Sequence, residues 1–356
     1  YSIFPMSLIL IAINLLSCSF TLNEISSKHC VQVLRMQENQ RVDITNGLGF
    51  TQNSLDSLGY KDRFSLENGN MYHNLSWKES LKNKWKLITG VSVSTNKDDI
   101  SFGMQDENKN DVLLTGLEFK EFDINSKGFY ANARFVLEKK FRGLNTLRVG
   151  TEYNHSDDKS KFTAFNGMIF NTRLIENVYS VFAEQDVYLT NKLAAKIGAR
   201  AEHSAMLNKT NLAPRVSLAY KLGRESQASL AYGIFYQNPE LRYQPAVNPL
   251  TFMKATHYIA QYQKTTSLTT FRVEAFYKEY DNLLKTSNVN GREIGSSNNG
   301  FGEASGFELF WRDKKHVKNL DYWISYSFLD TKRDFLNFPT AITPNFAAKH
   351  TASLVL

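Results

Sequence analysis

From about residue 70 onward the chain alternates apolar and polar residues with period two, and its charges keep to one face. In 129–139, Phe129, Ala131, Ala133, Phe135 and Leu137 share one face. Tyr130, Asn132, Arg134 and Glu138 take the other. In 193–202, Leu193, Ala195, Ile197, Ala199 and Ala201 oppose Lys196, Arg200 and Glu202. In 144–154, Leu147, Val149, Thr151 and Tyr153 oppose Arg148, Glu152 and Asn154; in 269–278, Phe271, Val273, Ala275 and Tyr277 oppose Arg272, Glu274 and Lys278. Apart from Lys139 at the very end of the first, no charge falls on the apolar face of these four segments. Such a chain is confined to sheets with one dry and one wet face. A soluble sandwich alternates too, so the pattern alone leaves two architectures open.

Strand length and loop order separate them. Segments 174–189, 267–280 and 319–330 far exceed the about 5–6 residues usual in soluble strands. A tilted membrane strand needs about 9–11. Short connections are expected at 82–83, 140–143, 190–191, 223–225, 264–265 and 313–318. Long ones are expected at 96–127, 155–173, 204–211, 238–256, 282–302 and 331–345. Strict alternation of short and long places them at opposite ends, as in a membrane barrel with short periplasmic turns. The expected fold is all-β: an antiparallel up-and-down transmembrane β-barrel spanning 70–356, with about 13–16 strands.

Composition closes other routes. Aromatic residues make up 13% of the chain, and Tyr188, Tyr220, Phe235, Tyr236, Tyr277, Tyr280, Trp311, Tyr322 and Trp323 fall near strand ends. Amphipathic rings suit the headgroup level, although ordinary sheet packing also uses aromatics. No run supplies the about 20 apolar residues of a spanning helix, and the mean hydropathy is −0.37. The net charge of +7 is interleaved with acids, without the basic stripe of a nucleic-acid binder. Residues 1–69 are poorly defined. The apolar run at 3–20 reads as a signal-like segment, a cut strand or an incomplete start, and the chain is expected to be a fragment at both ends.

No catalytic constellation is expected. His29, His73, His155, His203, His257, His316 and His350 are scattered, and Cys18 and Cys30 form no CxxC. Asp106, Asn108 and Asn110 match the first positions of a calcium loop, but Asp111 replaces its glycine and the closing Glu is missing. Neither a metal nor a cofactor is expected. The candidate functional residues are the charges expected to face the lumen: Glu184, Asp186, Lys196, Arg200, Glu202, Arg215, Glu274 and Glu308. They either hydrate or pair along the wall, or line a ligand path. Loop aromatics Tyr243, Phe252, Phe335 and Phe338 are external-loop candidates.

An ordered series of segments then carries a resemblance. Residues 211–237 are followed by Asn238, Pro239 and Glu240; a strand opens at Lys254, Ala255, Thr256, His257 and Tyr258. Then come FRVEAFYKEYDNLL at 271–284, GFGEASGFELFWR at 300–312, and Thr343, Pro344, Asn345 and Phe346 ahead of His350. With the hairpin at 176–202, these resemble the barrel domain of TonB-dependent outer-membrane receptors of the Bacteroidetes type. The resemblance implies a 22-stranded barrel filled by an N-terminal plug, in the outer membrane of a Gram-negative bacterium. It implies active uptake of a scarce ligand (siderophore, haem, cobalamin, glycan or peptide) powered through TonB. Outer-membrane lipid, lipopolysaccharide and the TonB complex, through a plug missing here, are the implied partners. A passive porin or structural barrel is the alternative.

Overall fold

The computed structural model describes residues 42–44, 59–141, 143–240, 243, 250–289 and 292–356. The run at 3–20 and both cysteines lie outside them. The alternating segments form one antiparallel sheet. Its strands are β1 (Val42–Ile44), β2 (Lys61–Ser80), β3 (Trp85–Gln105), β4 (Asp111–Val112), β5 (Phe122–Lys140), β6 (Thr146–Ala164), β7 (Ile169–Tyr188) and β8 (Leu193–Ser204). They continue as β9 (Lys209–Lys221), β10 (Ser226–Gln237), β11 (Met253–Thr265), β12 (Thr269–Val289), β13 (Arg292–Asp313), β14 (Tyr322–Asp334) and β15 (His350–Val355). Each strand pairs with its sequence neighbours, except that β4 only flanks β3.

The sheet curves around a cavity. Tyr72 and Asn74 of β2 line the same space as Arg333 of β14 and Phe346 beyond it. The inward face carries Asn132, Arg134, Arg148, Glu152, Glu184, Arg200 and Glu202. The outward face is inverted relative to a soluble protein. Val181, Ile197, Leu212 and Leu230 are 56–61% exposed, whereas inward Lys196 is 6% exposed. Apolar side chains face away from the protein because lipid is their solvent.

Three expected loops are paired strand instead. Asn96 pairs with Gly128, and pairing continues to Phe102 with Phe122, so both ends of 96–127 are strand around a shorter connection. Pairing between β6 and β7 reaches Thr163 with Ile169, leaving only a short turn in 155–173. In 282–302, β12 and β13 pair as far as Val289 with Arg292. These stretches place charges on both faces, as in Lys97, Asp98 and Asp99 or Asp157, Asp158 and Lys159. That destroys the alternation from which strands are read, but pairing in water satisfies the backbone equally well. Long connections remain at 106–121, 238–252 and 335–349.

The aromatic ring is likewise narrower than expected. Tyr220 and Tyr277 are exposed outward, and outward Trp311 packs on Phe271 at 5.8 Å. Phe235 and Tyr280 line the cavity, where Arg215 and Arg333 lie over their rings at 4.6 and 4.3 Å. A ring on the wet face finds a cation there. Tyr188 and Trp323 share the inward parity of Asp186 and Arg333.

The turn after β13 is pinned by Asp313, which is 1% exposed. Its carboxylate accepts the backbone N–H groups of Lys315 and His316 at 2.7 and 3.0 Å and contacts the His316 ring. The His316 and Lys315 amides hold its carboxyl down at about 2. A depressed folded-state value stabilises the turn above the unfolded value of 3.8 and is lost as pH falls toward about 2. A carbon NMR titration of Asp313 is expected to show a midpoint near 2; a midpoint at the unfolded value would remove this cap.

The facing is tested at Ala275, which lies in an outward groove with Leu218, Leu230, Tyr258 and Tyr277. Ala275→Arg is expected to cost about 2–4 kcal/mol and to block membrane assembly. Arg272, over the Phe310 ring at 5.9 Å on the other face, is expected to tolerate alanine. Equal assembly of both variants, read by heat-modifiable gel mobility, contradicts the facing.

Candidate functional site

Strand parity and register build the lumen wall. Register sets Arg148 between Glu138 of β5 and Glu184 of β7. It sets Asp186 beside Lys196. Arg148 donates to Glu138 at 2.9 Å and to Asp186 at 2.7 Å. Lys196 ion-pairs with Asp186 at 3.2 Å and with Glu184 at 3.8 Å. One step farther from the short turns, Arg200 donates to Glu202 at 2.8 Å, Glu152 at 3.0 Å and Ser180 at 2.9 Å. Asn132 donates to Glu152 at 3.0 Å. Five of the expected lumen residues therefore fall in two stacked clusters across β5 to β8: Glu184, Asp186 and Lys196 with Arg148, and Arg200 and Glu202 with Glu152. Buried charges need this pairing, since a lone one pays an uncompensated desolvation cost.

The opposite wall is organised differently. Arg215 lies over Phe235, which packs against His257 with ring centroids 4.5 Å apart. Lys278 lies 4.8 Å from the Phe276 ring centroid. Arg333 is sandwiched between Tyr280 and Phe346, at 4.3 and 5.7 Å. Glu274 accepts from Gln261 at 3.1 Å and stands opposite Glu308 in the register. Both walls close on one cavity of about 1460 Å³. Arg215, Lys278 and Arg333 make one flank positive, while Glu152, Glu184 and Glu202 make the other mixed.

At the long-loop end, Tyr243 and Phe252 are buried with Leu207, Leu250, Met253, Leu283 and Leu284 in a small core. Phe335 packs against its edge, and Phe338 is half-buried nearby. Below this core, Ser204 donates to the buried Glu176 at 3.0 Å, and Asn238 donates to Glu176 at 3.2 Å. This carboxylate ties two connections to one point. Tyr243 and Phe252 thus shape the loop core, and Phe335 and Phe346 line the cavity mouth.

Sequence reasoning did not single out Arg134, Arg148, Glu138, Glu152, Lys278 or Arg333 for the site. The signal was present for most of them, because Arg134, Glu138, Arg148, Glu152 and Lys278 all fall on polar faces of the alternating segments. Among the described residues no cluster of three His, Cys, Asp or Glu side chains can hold a metal. Asp106 instead caps its own turn, accepting the Asn110 backbone N–H at 2.8 Å.

Residues 31–356 match the family model described as TonB dependent receptor-like, beta-barrel. The chain is similar to the pyoverdine outer-membrane receptor of Pseudomonas aeruginosa, with a TM-score of 0.59 and 12% identity over 83% of this chain and 47% of that one. It is similar to the alcaligin outer-membrane receptor of Bordetella pertussis, with 0.58 and 15% over 83% and 50%. It is similar to the ferric-catecholate import receptor of Escherichia coli, with 0.58 and 10% over 83% and 52%. The chain thus spans about half the length of these structures. Among curated proteins none matches.

Arg200→Ala is expected to leave Glu152 and Glu202 facing each other and to cost about 1–3 kcal/mol of stability. Adding Glu202→Gln is expected to recover part of it. Thermal unfolding in detergent measures both; an additive second loss would show that the pairing is not the source of the cost.

Proposed function

The chain belongs to the family of TonB-dependent receptor β-barrels, proteins of the Gram-negative outer membrane, and on that premise we propose that it forms the barrel wall of a receptor that actively imports a scarce ligand. The observation that carries this reading is the split of the sheet. Its outward face is bare and apolar, and its inward face is charged and encloses about 1460 Å³. A wall of that kind suits a lumen that holds both water and a second domain. The two ion-pair clusters, around Arg148 and Lys196 and around Arg200, tie β5 to β8 together whatever the lumen contains. The cationic flank of Arg215, Lys278 and Arg333 is then the side that meets a plug or an anionic ligand. TonB engagement, through a plug, is part of the same proposal. Siderophore, haem, cobalamin, glycan and peptide stand as candidate ligand classes. The relatives named above supply pyoverdine, alcaligin and ferric catecholate as the first ligands to test.

The experiment is uptake by the intact protein in a Gram-negative host without receptors for these chelates. Labelled ferric chelate is expected to accumulate, and a protonophore is expected to abolish accumulation. Entry that persists after the gradient collapses would mean passive diffusion through a pore.

A further inference from the structure

Above the apolar belt, the outward face of β3, β5, β6 and β7 carries charges that ligand import does not use. Register places Lys97 beside Lys127, Lys127 beside Lys159, and Lys159 beside Arg173. Four cations from four strands therefore stand in one cross-strand row. They share the parity of outward Phe129, Tyr153 and Tyr179, and all four are exposed.

Like charges directly opposite one another across a sheet repel. Anions on the row relieve this; Asp99 and Asp157 contact it, and Glu67 acts on Lys97 at longer range. Asp99 pairs with Lys97. Asp157 accepts two bonds from Arg173, at 2.8 and 2.7 Å, and lies 3.6 Å from Lys159. Glu67, beside Asp99 in the register, and Asp123 lie farther from the belt. Lys127, in the middle of the row, makes no ion pair with a described residue and feels Asp99 only at longer range. An ammonium has three N–H donors, so Lys97 and Lys159 keep donors to share with Lys127 across an added anion.

The surroundings say what the anion is attached to. Directly below the row, Phe129, His155, Tyr153 and Tyr179 form an outward aromatic group with ring centroids 6.0, 6.5 and 5.2 Å apart. Tyr153 and His155 both reach the Asn177 side chain, each at 2.8 Å. Rings with one wet end mark the membrane–water boundary. Lys127 is the next outward residue after Phe129, so the row stands at headgroup height. On the opposite flank the corresponding register row reads Thr256, Glu279, Glu303 and Lys332. The cationic row is therefore a local feature and not a property of the whole rim. Three strand spacings separate its ends, about 14 Å, room for more than one phosphate.

Resting on the membrane facing proposed above, we propose that Lys97, Lys127, Lys159 and Arg173 bind the phosphate-bearing headgroup of a lipid of the outer leaflet. The lipid's acyl chains lie along the apolar strip of β5 to β8, beside Phe135, Val181 and Ile197.

The intact protein in nanodiscs is offered lipid A carrying two phosphates, the same lipid without phosphate, and inorganic phosphate, and retained lipid is read by native mass spectrometry. The phosphorylated lipid is expected to be held about 10-fold or more tightly than the bare one. K127Q/K159Q, which spares the Arg173–Asp157 pair, is expected to remove that preference. K192Q/K264Q makes the same change in charge at the short-turn end and is expected to keep it. Preference retained in K127Q/K159Q overturns the site, as does equal loss in both variants, which reports net charge alone. Displacement of the lipid by inorganic phosphate at equal concentration also overturns it, in favour of a small-anion site. A protein that inserts into the bilayer without phosphate preference fails this inference alone. A protein that does not insert fails the membrane reading and the site with it.

Discussion

Backbone hydrogen bonding in hydrocarbon is the constraint on which everything else in this structure depends. Water is absent there, so every N–H and C=O of a crossing segment must find a partner within the protein. A sheet does so only by pairing each strand on both sides along its whole crossing. The long uninterrupted ladders from β2 to β14 are the consequence. Side chains are then sorted by parity alone, and a single sheet separates lipid from lumen. Tight close approach is part of this sorting. A Cβ at Gly150 would meet the Phe182 ring at 2.6 Å and the Phe135 carbonyl oxygen at 2.7 Å, so a bare glycine lets Phe182 lie flat on the wall.

The same sorting concentrates charge on the inward face, where it has to be neutralised. On β5 to β8 the wall does this itself. Arg148 and Arg200 each bridge two carboxylates from different strands, which adds side-chain ties to the backbone ladder. On β9 to β14 the cavity-lining cations Arg215, Lys278 and Arg333 also lie over aromatic rings. The lumen is thus asymmetric: acid–base pairs dominate one flank and cation–ring contacts the other.

Beyond the belt the ladders continue into water, and the parity rule relaxes because neither face is dry. Charges there occupy both faces, and pairing fixes their mutual positions just as firmly. Lys97, Lys127, Lys159 and Arg173 are remote in sequence and adjacent only through three successive registers. The apolar strip, the aromatic group and the cationic row follow one another up the same strands, in the order in which a bilayer presents acyl chain, interface and phosphate.

The alternation in segments such as 129–139 and 193–202 determined strand direction, facing and the all-β class, because period-two geometry leaves a side chain only two places to point. It also identified Glu184, Asp186, Lys196, Arg200 and Glu202 as inward, and a resemblance in ordered segments suggested the family. It did not reveal that Arg148 ties Glu138 to Asp186, because cross-strand partners depend on register, and register is a property of neighbouring strands together. It misread 155–173, 282–302 and both ends of 96–127 as loops, since mixed charge erases the pattern while leaving the hydrogen bonds intact. It gave Tyr243 and Phe252 to an external loop without the core that buries them, because that core is assembled from three separate connections. Facing is a local property and was legible in the chain; pairing, height above the membrane and the company each charge keeps were decided only when the strands came together.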